Sequence, residues 1–325
     1  MIGENQDLTT SFFKCVKIDP LSALDLFISR GVKKATIAID QYRLYPFCSQ
    51  HRNTPIQDIA SKDIDDWVEE LQMRLSCSSV ESYKQTMKRF FNWCVQNPSI
   101  PLEVSPARHL RPQRRTSARY KAANEKDLDK VISGLQNQIY VLSRQTSGKS
   151  KLKLRHVVRD LLAYRLALES GKRLNELATV TTHAMRSALK HPQMARNGKV
   201  VYVAKSHGKT GFADLQFTEY TAAIYNLWVE IRPKGSTNFV FVGLGGLKSG
   251  EPLTTNGFTH IFQRRSKEYG IPVYRTHSIR HLKGTKVTDD FNPRVAASVL
   301  NINVETVMHH YYNQDYQDTI DAIAI

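Results

Sequence analysis

Residues 170–177 read SGKRLNEL. A stripe of Leu154, Val157, Val158, Leu161 and Leu162 runs toward this stretch at helical spacing. Three other stretches of the same half of the chain have to be read with it: SHGKTGF at 206–212, THSIRH at 276–281 and MHHYYNQ at 308–314. Each is commonplace alone. A lysine in a hairpin turn is usually solvated. His-x-x-Arg puts one histidine and one arginine on the same helical face, often by chance. A tyrosine near a C-terminus is more often core than catalyst. Only their succession along one chain is specific.

The rest of the chain sets the context. Its 325 residues suit two domains rather than one. Apolar residues make up 41%, enough for real cores. Lys and Arg number 46 against 30 Asp and Glu, a net charge of +16. So large an excess predicts a polyanionic partner, with nucleic acid ahead of an anionic membrane surface. The basic residues are spread over both halves rather than gathered on one amphipathic helix, which disfavours the membrane. No apolar run is long enough to span a bilayer, and the opening MIGENQDLTTSFF lacks the basic-then-apolar order of a signal peptide. Cys15, Cys48, Cys77 and Cys94 show no metal-ligand spacing and read as reduced thiols of a cytosolic protein.

The first third reads as helices. Ile64, Trp67, Val68, Leu71 and Leu75 recur at helical spacing. In residues 78–97, SSVESYKQTMKRFFNWCVQN, Ser78 and Glu81 stand in capping-box relation, and Val80, Tyr83, Met87, Phe90, Phe91 and Cys94 form an apolar face. Lys84 and Lys88 project elsewhere, one turn apart, as a solvated face or as phosphate contacts. Prolines 98, 101, 106 and 112 then break helices, and Arg108, Arg111, Arg114, Arg115, Arg119 and Lys121 load the segment with charge. It reads as an extended linker able to lie along a phosphate backbone. The expected organisation is a helical domain over 1–111, a basic linker over 112–123 and a second domain over 124–325. In the second domain, residues 199–217 predict two strands joined by a glycine-containing turn, and 219–233 predict a helix. From Thr255 onward the pattern is helical, broken at 269–276 and at Pro293.

In this order the four stretches resemble the tyrosine recombinase, or phage integrase, family, from about residue 60 to the end. LALESGKRLNEL resembles the box of its first catalytic arginine, at Arg173, with Glu176 at the acidic position that follows. KTGFADLQFT resembles the hairpin of the catalytic lysine, at Lys209. HSIRH resembles the His-x-x-Arg box, at His277 and Arg280, and VETVMHHYYN the nucleophile segment, at Tyr311. Residues 78–110 resemble the end of the family's helical core-binding domain, with its Pro-Ala motif at Pro106 and Ala107. The implied fold is mainly α with a small β-sheet: a helical, SAM-like core-binding domain plus an α/β catalytic domain, clamped around DNA.

The chemistry fits the residue types. Two guanidinium groups can hold the non-bridging oxygens of a phosphodiester and stabilise its transition state. A phenol with an ordinary pKa of about 10 needs positive surroundings or a base to attack. A hairpin lysine can protonate the leaving 5′ oxygen. The resemblance implies a site-specific recombinase working through a 3′-phosphotyrosyl intermediate, with no cofactor or metal. Its partners would be a double-stranded recombination site, copies of itself in a tetramer exchanging the C-terminal tail DTIDAIAI (318–325), and DNA-bending accessory proteins. Its setting would be the bacterial cytoplasm, at the nucleoid, in the service of a mobile element. DNA contacts are expected from Lys84, Lys88, Arg111, Arg114, Arg115 and Arg119.

One departure stands out. The family has a second His or a Trp in a Leu-Gly-His box, and here Leu300 is followed by Asn301 and Ile302. This register reaches Tyr311 without a gap. A shift by one puts Asn301 at the His position but His310 where the tyrosine belongs. His309 or His310 are the substitutes at hand. Tyr312 is the second candidate nucleophile and Tyr316 the third. The departure keeps a rival reading open: a recombinase-fold protein that binds specific DNA without cutting it.

Overall fold

The computed structural model describes residues 17–111, 122–208 and 211–311. The chain forms two compact units, Met1–Ala118 and Arg119–Ile325.

The first unit is helical. It comprises α1 (Pro20–Ile28), α2 (Lys34–Gln50), a 3-10 turn at Ile56–Asp58, α3 (Ser61–Arg74) and α4 (Cys77–Gln96). The Asp19 carboxylate caps α1 by accepting the N–H groups of Leu21 and Ser22, with Pro20 in the first turn. The core is aromatic. Phe47 meets both Trp67 and Phe91 edge-on, and Phe27 meets Phe90 and Trp93 in the same way. Buried Asp40 is paired by Arg30 and Arg89. Ile64, Trp67, Val68 and Leu71 are buried as their spacing predicts, but Leu75 lies past the end of α3 and is exposed. Helix α4 also starts earlier than expected. Ser76 caps it, its hydroxyl accepting the Ser79 N–H and its carbonyl the Val80 N–H. Glu81 is therefore not a capping-box partner of Ser78 but a buried side chain one turn in.

Residues 98–110 of the proline-rich stretch differ from an extended tether. Ile100, Leu102, Ala107 and Leu110 are buried against the first core. Ser61 Oγ donates to the Pro106 carbonyl at 2.9 Å, and Lys88 Nζ to the Leu110 carbonyl at 2.7 Å. Apolar residues between the prolines give this stretch something to bury, and burial outweighs the freedom that its composition suggests. Arg111 is exposed, and Arg114, Arg115 and Arg119 lie outside the described residues.

The second unit begins where Ala123 enters its core and donates its N–H to the Ser278 carbonyl at 3.0 Å. Asn124 caps α5 (Glu125–Ser143), and Ser147 caps α6 (Gly148–Ser170). Helix α6 is the pillar. It is buried over most of its second half and packs against α5, a sheet strand and three later helices. Short helices α7 (Leu174–Ala178) and α8 (Thr182–Leu189) follow. An antiparallel sheet of order β1-β2-β3 comes next: β1 (Gln193–Met194), β2 (Val200–Gly208) and β3 (Gly211–Thr218). The two long strands are those the sequence predicts; β1 is too short to leave a periodic signal. Helices α9 (Glu219–Ile231), α10 (Thr255–Glu268), α11 (Thr276–Asp290), α12 (Pro293–Leu300) and α13 (Val304–His310) complete the unit. Buried Asp160 on α6 accepts from Arg159, Arg264 and Arg265, which joins α6 to α10. The chain is thus mainly α with a small β-sheet.

Candidate active site

Helix α6 ends at Gly171, whose left-handed backbone (φ 59°) admits glycine without strain. A Cβ there would stand 2.8 Å from Leu300 Cδ2, so the turn also needs glycine for space. Two residues later Arg173 sits at the N-cap of α7 with its side chain 45% exposed. Glu176 holds it twice: one carboxylate oxygen accepts the Arg173 N–H at 2.7 Å and the other accepts the guanidinium at 3.2 Å. The hairpin root is fastened to the same helix. Ser206 Oγ donates to the Glu176 carbonyl, and Thr179 Oγ1 donates to the His207 carbonyl at 2.8 Å. Strands β2 and β3 pair as far as Gly208 opposite Gly211. Lys209 follows Gly208 and lies outside the described residues.

His277 and Arg280 share one face of the first turns of α11. Arg280 is 1% exposed, one of the most buried large side chains. Its guanidinium donates to the Gly171 carbonyl at 2.9 Å and to the Leu300 carbonyl at 2.8 Å, which fixes it rigidly. Burial pushes its pKa below the ordinary value; the facing Tyr311 phenol opposes that, and nearby Arg173 adds to it. Burial also lowers the pKa of His277, and Arg280, His281, Arg173 and His310 lower it further. An imidazole so surrounded is neutral at pH 7.

Tyr311 closes α13. It is 6% exposed and packs with Val287, Leu300 and Val307. Its ring lies 4.7 Å from that of His281 and 6.4 Å from that of His310. Arg173, His277, Arg280 and Tyr311 thus come together from separate segments into one electropositive cluster. Beside them, a cleft of about 410 Å³ is lined by Leu174, Asn256, Phe262, Tyr274, Arg275 and His277. A hollow of about 430 Å³ between α5 and α6 contains none of the site residues. Tyr312 and Tyr316 lie outside the described residues, as does the tail from 318 to 325. Among the described residues no group of three or more His, Cys, Asp or Glu is placed to hold a metal ion, and no helix is long and apolar enough to cross a membrane.

The departure at Asn301 has a backbone explanation. Asn301 is the one non-glycine residue with positive φ among those described (53°), at the C-terminal cap of α12. After glycine, asparagine tolerates this conformation best, so asparagine can stand where the box has glycine. Its side-chain amide reaches the Phe212 carbonyl of β3 at 3.4 Å. Ile302 is half-buried against the Tyr311 cluster and brings no donor. Sequence reasoning missed three other residues of the site. Gly284 leaves room for the Tyr311 ring, and its signal was a glycine in the middle of a helix. His281 lies against that ring, tilted by 41°. Lys172 is buried behind Arg173, and nothing in its spacing marked it.

A helical unit followed by a mainly helical unit with a three-stranded sheet is the architecture of DNA-bound tyrosine recombinases. The model of the phage integrase family matches residues 149–318, and the chain belongs to that family. Three solved structures share the fold. A lambda integrase dimer bound to a COC′ core site superposes with a TM-score of 0.61 at 15% identity, covering 94% of this chain and 81% of that one. The XerH site-specific recombinase in a post-cleavage complex with palindromic difH gives 0.67 at 13%, covering 91% and 81%. The Tn1549 transposon integrase in complex with a circular intermediate DNA gives 0.66 at 15%, covering 95% and 99%. No curated protein sequence matches the chain.

Proposed function

We propose that the chain is a site-specific DNA recombinase that cleaves and rejoins duplex DNA through a 3′-phosphotyrosyl intermediate. The observation that carries this reading is the convergence of Arg173, His277, Arg280 and Tyr311, which are far apart in sequence, on one cationic cluster. Arg173 and Arg280 bind the non-bridging oxygens of the scissile phosphate and stabilise its added charge. The Tyr311 oxygen attacks phosphorus and its proton passes to neutral His277. The phosphorus–O5′ bond breaks, and Lys209 on the hairpin protonates the leaving oxygen. Rejoining is the reverse with a new 5′ hydroxyl. The phosphodiester's energy is kept in the phosphotyrosine, so the cycle requires no nucleotide cofactor.

The family's solved structures support the assembly we assign to it. Lambda integrase has been seen as a tetramer on a Holliday junction. We assign this chain a paired duplex site, a tetramer with the 318–325 tail exchanged between copies, DNA-bending accessory proteins and a bacterial nucleoid setting within a mobile element. The helical domain, the basic linker 112–123 and the second domain would close around DNA, with Lys84, Lys88, Arg111, Arg114, Arg115 and Arg119 facing phosphates. Removing the last seven residues should then block assembly on paired sites while leaving binding to one site intact.

A second reading is favoured by Ile302, which supplies no hydrogen-bond donor where the family has one: a DNA-binding factor without cleavage. One experiment separates the two. The bound DNA sequence is recovered, rebuilt with a nick beside the scissile position and incubated with the protein. A protease-sensitive covalent adduct supports the recombinase, and tight binding without any adduct supports the binder.

A further inference from the structure

The end of α12 leaves its last four carbonyls without helical partners, as every helix does. Here each one can be traced. The Ile302 N–H closes back on the Ala297 carbonyl at 3.1 Å, and the Asn301 N–H is shared between the Ala297 carbonyl and the Ser298 carbonyl, the latter at 3.2 Å. The other two are closed by cations. Arg280 donates to the Leu300 carbonyl at 2.8 Å, and Lys172 Nζ donates to the Val299 carbonyl at 2.6 Å. Two positive charges at a helix C-terminus also complement its dipole.

Lys172 is the unexpected member. Lysine is among the residues least often buried, yet this one is 1% exposed. It follows Gly171, whose carbonyl accepts from Arg280, and precedes Arg173. Glu176 of α7, Asp214 of β3, Arg280 of α11 and Arg173 are the charged groups that face it. The helix end it holds bears on Tyr311, since Leu300 and Tyr311 pack in the same buried cluster and both line the space left by Gly284.

We propose that Lys172 is a positioning residue for strand cleavage: its ammonium, seated on the Val299 carbonyl, holds the end of α12 and through it the Tyr311 segment in line with the bound phosphate. This inference rests on the recombinase reading. Burial pushes the Lys172 pKa down to about 8, with Arg280 and Arg173 adding to the effect and Glu176 and Asp214 opposing it. Its charge is therefore lost just above neutral pH, while both arginines keep theirs. A neutral amine is a much weaker donor to a helix-end carbonyl, and the clamp loosens. Stability moves the other way. The unfolded chain holds this proton more tightly, so the fold gains stability as pH rises from about 8 toward the ordinary lysine value of 10.5. A purely structural lysine would give no loosening of the tyrosine segment in that window.

The test uses the full chain, as wild type, Lys172→Met and Lys172→Arg. Hydrogen exchange over residues 304–311, corrected for the intrinsic pH dependence of exchange, needs no DNA. In wild type, protection of this segment should fall about tenfold above pH 8 while α6 stays protected; in Lys172→Met it should be low at every pH. On nicked target DNA, Lys172→Met should slow adduct formation at least about tenfold at pH 7 with DNA affinity unchanged. Lys172→Arg, which keeps its charge, should retain activity above pH 8. If the Met variant fails to fold, the wild-type exchange profile decides: a fall above pH 8 supports the proposal and a flat profile overturns it. If wild type forms no adduct, the recombinase reading fails, and exchange still reports whether Lys172 holds the segment. Protection unaffected by pH and by Lys172→Met overturns the inference, as does a Met variant that cleaves at the wild-type rate.

Discussion

Gly284 of α11 leaves the space that the Tyr311 ring occupies: a Cβ at residue 284 would stand 2.4 Å from Tyr311 Cδ1 and 2.9 Å from Leu300 Cδ1. The ring is rigid and backed by a packed cluster, so neither neighbour can yield cheaply. Gly284→Ala should therefore displace Tyr311. Overpacking of this kind costs about 1–3 kcal/mol, partly offset by the roughly 1 kcal/mol by which alanine favours a helix. The expected result is a small change in melting temperature with a large loss of covalent adduct, read by calorimetry and gel assay on one preparation.

Tyr311→Phe removes one hydroxyl and keeps the ring in its place against His281. It should abolish adduct formation and leave DNA affinity unchanged. Tyr312→Phe should leave cleavage largely intact, because the ungapped register from Leu300 reaches Tyr311. Loss of the adduct in Tyr312→Phe with retention in Tyr311→Phe would move the nucleophile by one residue.

The His277 imidazole titrates below the ordinary histidine value of 6.5 because of burial, with Arg280, His281, Arg173 and His310 adding to it. In the proposed cycle it must be neutral to take the phenolic proton. Cleavage should hold near neutrality and fall with acidification only as pH drops through that lowered value. The stability linkage has the same sign. The unfolded chain binds the proton more readily, so the contribution is complete above pH 6.5 and is lost as pH falls. His277→Gln should lower the single-turnover rate about 100-fold, a usual size for a general base, and flatten the acid limb.

Binding should weaken steeply with salt, given the net charge of +16. Each phosphate contact adds about 0.9 to the slope of log affinity against log salt. Replacing Arg111, Arg114, Arg115 and Arg119 by Gln should reduce the slope by about that amount for each side chain that touches a phosphate. A slope unchanged by the fourfold replacement would remove the linker from the interface. Lys88 is a weaker candidate than Lys84, since the Leu110 carbonyl already occupies its ammonium.

The sequence by itself determined the parts whose physics is local. Helical stripes on α3, α4 and α6, the paired strands around residue 209 and the His-x-x-Arg spacing all arise within a turn or a hairpin, so residue type and period reveal them. Arg173, His277, Arg280 and Tyr311 are legible only through the order of their stretches, which resembles that of the family. What only the tertiary structure decided depends on segments far apart in the chain. Arg280 reaches a carbonyl 109 residues away at Gly171, and Lys172 one 127 residues away at Val299. No periodicity encodes such a pairing. Burial of Lys172, the fit of Tyr311 against Gly284 and the packing of residues 100–110 onto the first core depend on which surfaces meet. The left-handed turn at Asn301 lies between these cases. Asparagine permits that backbone locally, but α12 ends there because Lys172 and Arg280, brought in from elsewhere, satisfy the carbonyls that the ending exposes.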